Sequence, residues 1–160
     1  MSGDGVRRGV FITLEGGEGA GKSTQVARLV ERLAAAGCDA MATREPGGAP
    51  GAEEIRKLLV SGETGRWHPL TEALLHFAAR HEHLTRTVRP ALARGLWVVS
   101  DRFADSTTAY QGHALGLGRA MVQRLYQTIV GDFAPDLTLI LDIPPDLGLE
   151  RSRTPPDSER

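Results

Sequence analysis

The strongest chemistry in the chain lies in the eight residues Gly16-Gly-Glu-Gly-Ala-Gly-Lys-Ser23. They match G-x-x-x-x-G-K-[ST], a loop whose backbone N–H groups turn inward around phosphate oxygens. Glycines allow the curl, and the helix expected to start there adds partial positive charge. In such a loop Lys22 reaches the β- and γ-phosphates, and the Ser23 hydroxyl can ligate Mg²⁺. Gly16, Gly17, Glu18, Gly19, Ala20, Gly21, Lys22, Ser23 and the following Thr24 therefore form the expected donor-nucleotide set. A chance match at four fixed positions should occur in well under ~1% of chains this long. The loop alone names no substrate, because switches, motors and kinases share it.

A second group of charges suggests where another phosphate would sit. Asp101-Arg102 closes a predicted strand, on the edge where doubly wound sheets bind ligands. Asp101 can hold Mg²⁺ or its water shell, and Arg102 can grip a phosphate bidentately. Arg44 and Glu45 leave another strand end, and Arg56 lies on the helix beyond. Transfer between two polyanions needs clustered positive charge, since their repulsion otherwise sets the barrier. Taken singly, each arginine reads equally as a solvated surface residue.

The elements that must hold these groups alternate between strand and helix. Val10–Glu15, Ala40–Thr43, Leu96–Ser100 and Leu137–Ile143 read as strands, the last as a clearly buried one. Helices are expected from Val26 to Leu33, from Ala52 to Val60 and from Pro69 onward, with Leu70, Leu74, Phe77, Leu84 and Val88 on one side. Pro90 should kink or end that helix. Further helices start at Ser106, at Met121 and after Pro144-Pro145. The alternation predicts an α/β fold, a P-loop NTPase-like parallel sheet with helices on both faces. Four strands are counted and a fifth is expected beyond the end. The domain reading is a single unit over residues 1–160, incomplete at its C-terminus, with 1–9 flexible and 151–160 beginning a lid.

Composition excludes several classes. The 160 residues carry a net charge of −1, so no basic field points to nucleic acid. No apolar run approaches the ~18 residues needed to span a bilayer, and the N-terminus has no signal-peptide core. A cytoplasmic location is expected. The one cysteine, Cys38, permits no internal disulfide and reads as a small buried apolar residue. His81 and His83, two apart on a helix, make a poor metal pair. His68 and His113 read as solvated, and Trp67 and Trp97 as packing residues.

Glu15–Ser23, Thr43-Arg-Glu-Pro-Gly-Gly48, Phe77-Ala-Ala-Arg80, Asp101-Arg102 with Ala109-Tyr-Gln-Gly112, and Pro135-Asp-Leu-Thr138 together resemble the bacterial thymidylate kinases. Order and spacing agree over about residues 10–153. The resemblance implies transfer of the ATP γ-phosphate to dTMP with Mg²⁺, in a homodimer paired through helices flanking the sheet. Lys22, Glu18, Arg102 and Arg153 would be catalytic. Glu18 would contact the deoxyribose 3′-hydroxyl. Arg102 would hold the dTMP phosphate, approached by Arg56 and with Glu45 nearby. Arg80 would reach thymine O4, Thr107 and Gln111 would read the base edge, and Tyr110 would crowd C2′. Ser23 and Asp101 would be the metal residues.

The chain also departs from the family pattern. The aromatic expected four residues before Arg80 is replaced by His76, with Phe77 one later, and either ring could stack on the base. Phe103 follows Asp-Arg where the family commonly has tyrosine. The phosphate loop carries no arginine, which in the family accompanies arginines in a mobile lid; Arg151 and Arg153 stand at its entry, and Arg160 ends the chain. Two other readings stay open: a deoxynucleoside kinase, needing a base near a 5′-hydroxyl, and a truncated nucleotide-binding chain without turnover.

Overall fold

The computed structural model describes residues 7–63, 65–114 and 116–153. Four parallel strands form one sheet in the order β2-β3-β1-β4. These are β1 (Phe11–Gly16), β2 (Ala40–Arg44), β3 (Trp97–Asp101) and β4 (Leu137–Leu141). Side-chain alternation divides the core in two. Phe11 and Val98 face a layer containing Phe77, Leu84, Val88 and Leu92, while Ile12, Leu14 and Val99 face Val26 of α1 (Lys22–Ala35). Each face of a parallel sheet needs such cover, because its strands carry apolar groups on both sides. The chain is therefore the expected α/β sandwich of a sheet between helices.

The remaining helices are α2 (Pro50–Val60), α3 (Pro69–His83), α4 (Arg89–Ala93), α5 (Ala104–Thr107), α6 (Arg119–Ile129) and α7 (Pro145–Arg153). The expected break at Pro90 is replaced by something gentler. A π-turn, Leu84–Val88, carries α3 into α4, and Pro90 sits in the first turn of α4, where its missing N–H costs little. The buried stripe of α3 runs through Ala73, Phe77 and Arg80 rather than Leu74, which is 46% exposed. The helix expected at Ser106 begins at Ala104 and widens into a second π-turn, Thr108–Ala114.

The reading of β4 as a buried strand is corrected. It lies at the sheet edge and pairs with β1 alone, so Leu137, Leu139 and Ile140 are exposed. An apolar run records the capacity for burial, and strand order decides which faces receive cover. Cys38 is half-buried instead of fully buried. Because all four strands run parallel, the ends of β1, β2 and β3 open on one edge, where Gly16, Arg44 and Asp101 are collected.

Candidate active site

The donor side is built by the turn between β1 and α1. Gly19 has φ 68° and Gly21 φ 82°, both in the left-handed region. A Cβ on Gly19 would also stand 2.1 Å from the carbonyl oxygen of Gly148, so contact and conformation both demand glycine. No side chain caps the N-terminus of α1, which leaves its N–H groups for an anion. Lys22 is 7% exposed, and its Nζ donates to the carbonyls of Gly16 at 3.0 Å and Gly17 at 2.6 Å. Burial lowers its pKa and Arg102 lowers it further, against the pull of Asp101, Glu15 and Glu18. A poorly solvated ammonium of this kind gains strongly from an anionic partner.

Ser23 Oγ donates to Asp101 Oδ2 at 2.5 Å. The two oxygens form a pair suited to a hard cation that keeps most of its ligands as water and phosphate, as Mg²⁺ does. Among the described residues no group of three or more His, Cys, Asp or Glu could hold a metal. The loop, Ser23, Thr24, Asp101 and Arg102 enclose a cavity of about 450 Å³, closed on one side by Arg151 and Ser152 of α7.

A second cavity, about 440 Å³, opens beside the first. Glu45, Pro46 and Arg56 form one wall, and Glu72, His76 and Arg80 of α3 form another. The segment after β3 supplies Arg102, Phe103, Ser106, Thr107, Tyr110 and Gln111. Arg80 is the best-fixed group there, at 2% exposure. Its Nε donates to Glu45 Oε2 at 2.7 Å, and its Nη2 to the Phe103 carbonyl at 3.0 Å and Thr107 Oγ1 at 2.9 Å. The guanidinium lies between Phe77 and Phe103, 5.0 Å from each ring centroid. Its Nη1 has no partner, the one such buried side-chain atom among the described residues. A buried donor in that condition points to a ligand acceptor.

Burial would raise the Glu45 carboxyl, but Arg80 and His83 outweigh it and hold the pKa below the ordinary value. His83, fully buried, bonds both Glu45 and Thr43, whereas His81 is exposed, so the two do not form a metal pair. Burial, then Arg80 and Arg102, push His76 down to about 4, leaving a neutral imidazole at neutral pH. Gln111 Nε2 donates to Glu72 Oε1 at 2.9 Å, and Arg56 Nη1 to the Pro46 carbonyl at 2.7 Å.

Glu18 and Arg102 line both cavities and so stand in the shared wall. The expected base-edge residues, Arg80, Thr107 and Gln111, converge with His76 and Tyr110 on the second. Two expectations are corrected. Phe77 lies in the core at 0% exposure and does not line the cavity; its ring supports Arg80. One residue shifts the helical phase by about 100°, so His76 and Phe77 cannot both face the same space. Arg44 pairs with Glu53 at 3.1 Å and lines a separate cavity beside Met41 and Val26. Arg153 ends α7, and its side chain, that of His113 and the whole of Arg160 lie outside the described residues.

Several groups at the site gave little sign in the sequence. Glu15, Glu72, Ser106 and Gly148 all contact it. Glu15 had one available signal: a carboxylate closing an apolar strand must find buried donors.

The comparisons with known proteins point to one family. The family profile described as thymidylate kinase matches residues 14–159. A thymidylate kinase of Caulobacter vibrioides is 56% identical over 145 residues, 91% of this chain and 70% of that protein. One from Jannaschia sp. is 57% identical over 142 residues, covering 89% of this chain and 68% of the relative. A crystal structure of thymidylate kinase from Ehrlichia chaffeensis superposes with a TM-score of 0.79 at 36% identity, covering 91% of this chain and 83% of that one.

Proposed function

The chain belongs to the thymidylate kinase family, and from that membership we propose that its two cavities hold the two halves of one phosphoryl transfer. ATP occupies the loop cavity and dTMP the second, and the products are ADP and dTDP. The observation that carries this reading is the shared wall: Arg102 belongs to both cavities, so one guanidinium can neutralise charge on both sides of the transferred group.

Each residue has a task in this reading. The loop N–H groups and Lys22 bind the β- and γ-phosphates, and Thr24 completes the nucleotide contact. Ser23 and Asp101 would hold Mg²⁺, which supplies charge neutralisation at the phosphates when bound. Glu18 meets the 3′-hydroxyl of the acceptor, and Arg56 joins Arg102 at its phosphate. The unpartnered Nη1 of Arg80 takes thymine O4, where cytosine would present an amino donor instead. Thr107 and Gln111 read the base edge, His76 covers its face, and Tyr110 crowds C2′. The acceptor phosphate is already ionised, so positioning and charge neutralisation, a task we assign also to Arg151 and Arg153, carry the rate.

We assign a homodimer formed through the flanking helices; Leu58 and Val60 on α2 and Leu74 on α3 are the exposed apolar groups it would cover. Light scattering that gives a monomer refutes this. From the family membership we infer a cytoplasmic location. No helix among the described residues is long and apolar enough to cross a membrane.

A coupled ADP-release assay with dTMP, dUMP, dCMP and thymidine tests the function. Turnover should be fastest with dTMP and fall by at least about 100-fold in Lys22→Ala. Phosphorylation of thymidine but not dTMP would exclude the proposal.

A further inference from the structure

Glu15 has no part in the chemistry above, yet it is a carboxylate 5% exposed at the end of β1. Its Oε1 accepts from the Phe103 N–H at 2.7 Å, and its Oε2 accepts from Ser106 Oγ at 2.5 Å. Ser106 Oγ in turn accepts from Arg102 Nη1 at 3.2 Å. Burial pushes the Glu15 carboxyl above its ordinary pKa, opposed by the Ser106 and Phe103 bonds. Both partners are donors, so the site is built for an acceptor on each oxygen.

The turn that Glu15 grips is strained. Arg102 has φ 72°, and among the described residues it is the one non-glycine with positive φ. A side chain there is disfavoured and persists only where neighbours impose it. Arg102 N–H donates to the Leu14 carbonyl at 2.9 Å, and Ser100 Oγ donates to the Arg102 carbonyl at 2.8 Å. Glu15 completes the clamp by holding the next residue, Phe103, from the neighbouring strand.

We propose that Glu15 is the positioning residue for Arg102, fixing both the strained backbone and the direction of the guanidinium through Ser106. The inference rests on the functional reading that Arg102 grips the acceptor phosphate. Ser106 can donate only one proton. While Glu15 takes it, the hydroxyl lone pairs face Arg102, and the guanidinium is held with its other nitrogens free for phosphate oxygens. Because β1 also leads into the phosphate loop, one carboxylate ties the acceptor grip to the strand that carries the donor loop.

Glutamine is nearly the same shape but has one acceptor oxygen and one amino group. It cannot accept from both Phe103 and Ser106, and an amide N–H turned to Ser106 competes with Arg102 for the hydroxyl. Calorimetric titration of dTMP, thymidine and ATP into the wild-type chain, Glu15→Gln and Ser106→Ala separates the possibilities. Thymidine fills the same cavity without a phosphate, so the ratio of dTMP to thymidine affinity reads the phosphate grip, of which Arg102 is bonded to Ser106 and Arg56 to the Pro46 carbonyl instead. Glu15→Gln should lower dTMP affinity roughly 10-fold, with thymidine within about twofold and ATP, which meets Arg102 only across the shared wall, weakened less than dTMP. Ser106→Ala, which spares the Phe103 bond, should move the same ratio, and the double variant should lose less than the sum. If Glu15→Gln does not fold, Ser106→Ala carries the test.

Equal weakening of dTMP and thymidine would reduce Glu15 to a general structural role and overturn the inference. So would an unchanged ratio in both variants. A wild-type chain that binds dTMP no better than thymidine would sink the phosphate-grip reading itself, and this inference with it.

Discussion

Arg80 Nε and Glu45 Oε2 meet at 2.7 Å in the floor of the acceptor cavity, with their side chains 2% and 4% exposed. The pair is costly to desolvate, so its value lies in fixing the guanidinium rather than in raw stability. Removing one member leaves the other charge buried and unpaired. Glu45→Ala should therefore destabilise the chain by about 3–5 kcal/mol in urea unfolding. The double variant Glu45→Ala/Arg80→Leu should regain much of that loss yet bind dTMP far more weakly. Stability that falls further in the double variant would contradict this account.

A glycine pair seats α7 on the phosphate loop. A Cβ at Gly148 would stand 2.5 Å from the Glu18 carbonyl, and one at Gly19 2.1 Å from the Gly148 carbonyl. Backbone cannot yield there as a flexible side chain would, so Gly148→Ala must displace α7 and with it Arg151. We expect kcat/KM for ATP to fall roughly 10- to 100-fold, since small displacements of charge at a reacting centre are costly. Steady-state kinetics at saturating dTMP measure this; unchanged ATP parameters would mean that α7 does not contribute to the donor site.

Tyr110 lines the acceptor cavity, and the Arg102 guanidinium lies 5.6 Å from its ring centroid. On the proposed reading the phenol would exclude a 2′-hydroxyl, and its ring also steadies the Arg102 guanidinium. Tyr110→Ala should lower the preference for dTMP over its ribose counterpart by about 10-fold or more, and also raise KM for dTMP. A preserved sugar preference would place the selection elsewhere in the cavity.

The sequence disclosed the parts of this site that are contiguous and chemically unusual. The loop from Gly16 to Ser23 announces itself because few other uses require that glycine spacing before Lys-Ser. Strand–helix alternation likewise gave the parallel sheet, and parallelism alone brings Gly16, Arg44 and Asp101 to one edge. What stayed hidden depends on strand order and helical phase. β4 reads as buried because Leu137, Leu139 and Ile140 are apolar, but it lies at the sheet edge with those three exposed. His76 and Phe77 were indistinguishable until the helix was oriented. The Ser106–Glu15 bond joins residues 91 positions apart, a pairing no local pattern encodes.

His76 makes the acid stability of the chain predictable in sign. Its pKa falls from 6.5 to about 4 in the folded protein, with burial the main cause and Arg80 next. Between those values the unfolded chain binds a proton that the folded chain refuses, so stability rises with pH across that window and is lost on acidification. Glu45, whose pKa is lowered, adds a loss of the same sign, but only as pH falls below its ordinary 4.5. Glu15, whose pKa is raised, contributes with the opposite sign just above its ordinary 4.5, so the imidazole, worth up to about 1.4 kcal/mol per pH unit, is read from the difference between the wild-type chain and a variant lacking it. His76→Phe removes the titrating group while keeping a flat ring of similar reach. Urea midpoints measured at about pH 5, 6 and 7 should climb more steeply in the wild-type chain than in the variant. Parallel slopes in the two proteins would show that His76 keeps its ordinary affinity for protons, and that the cavity around it is wetter than its burial implies.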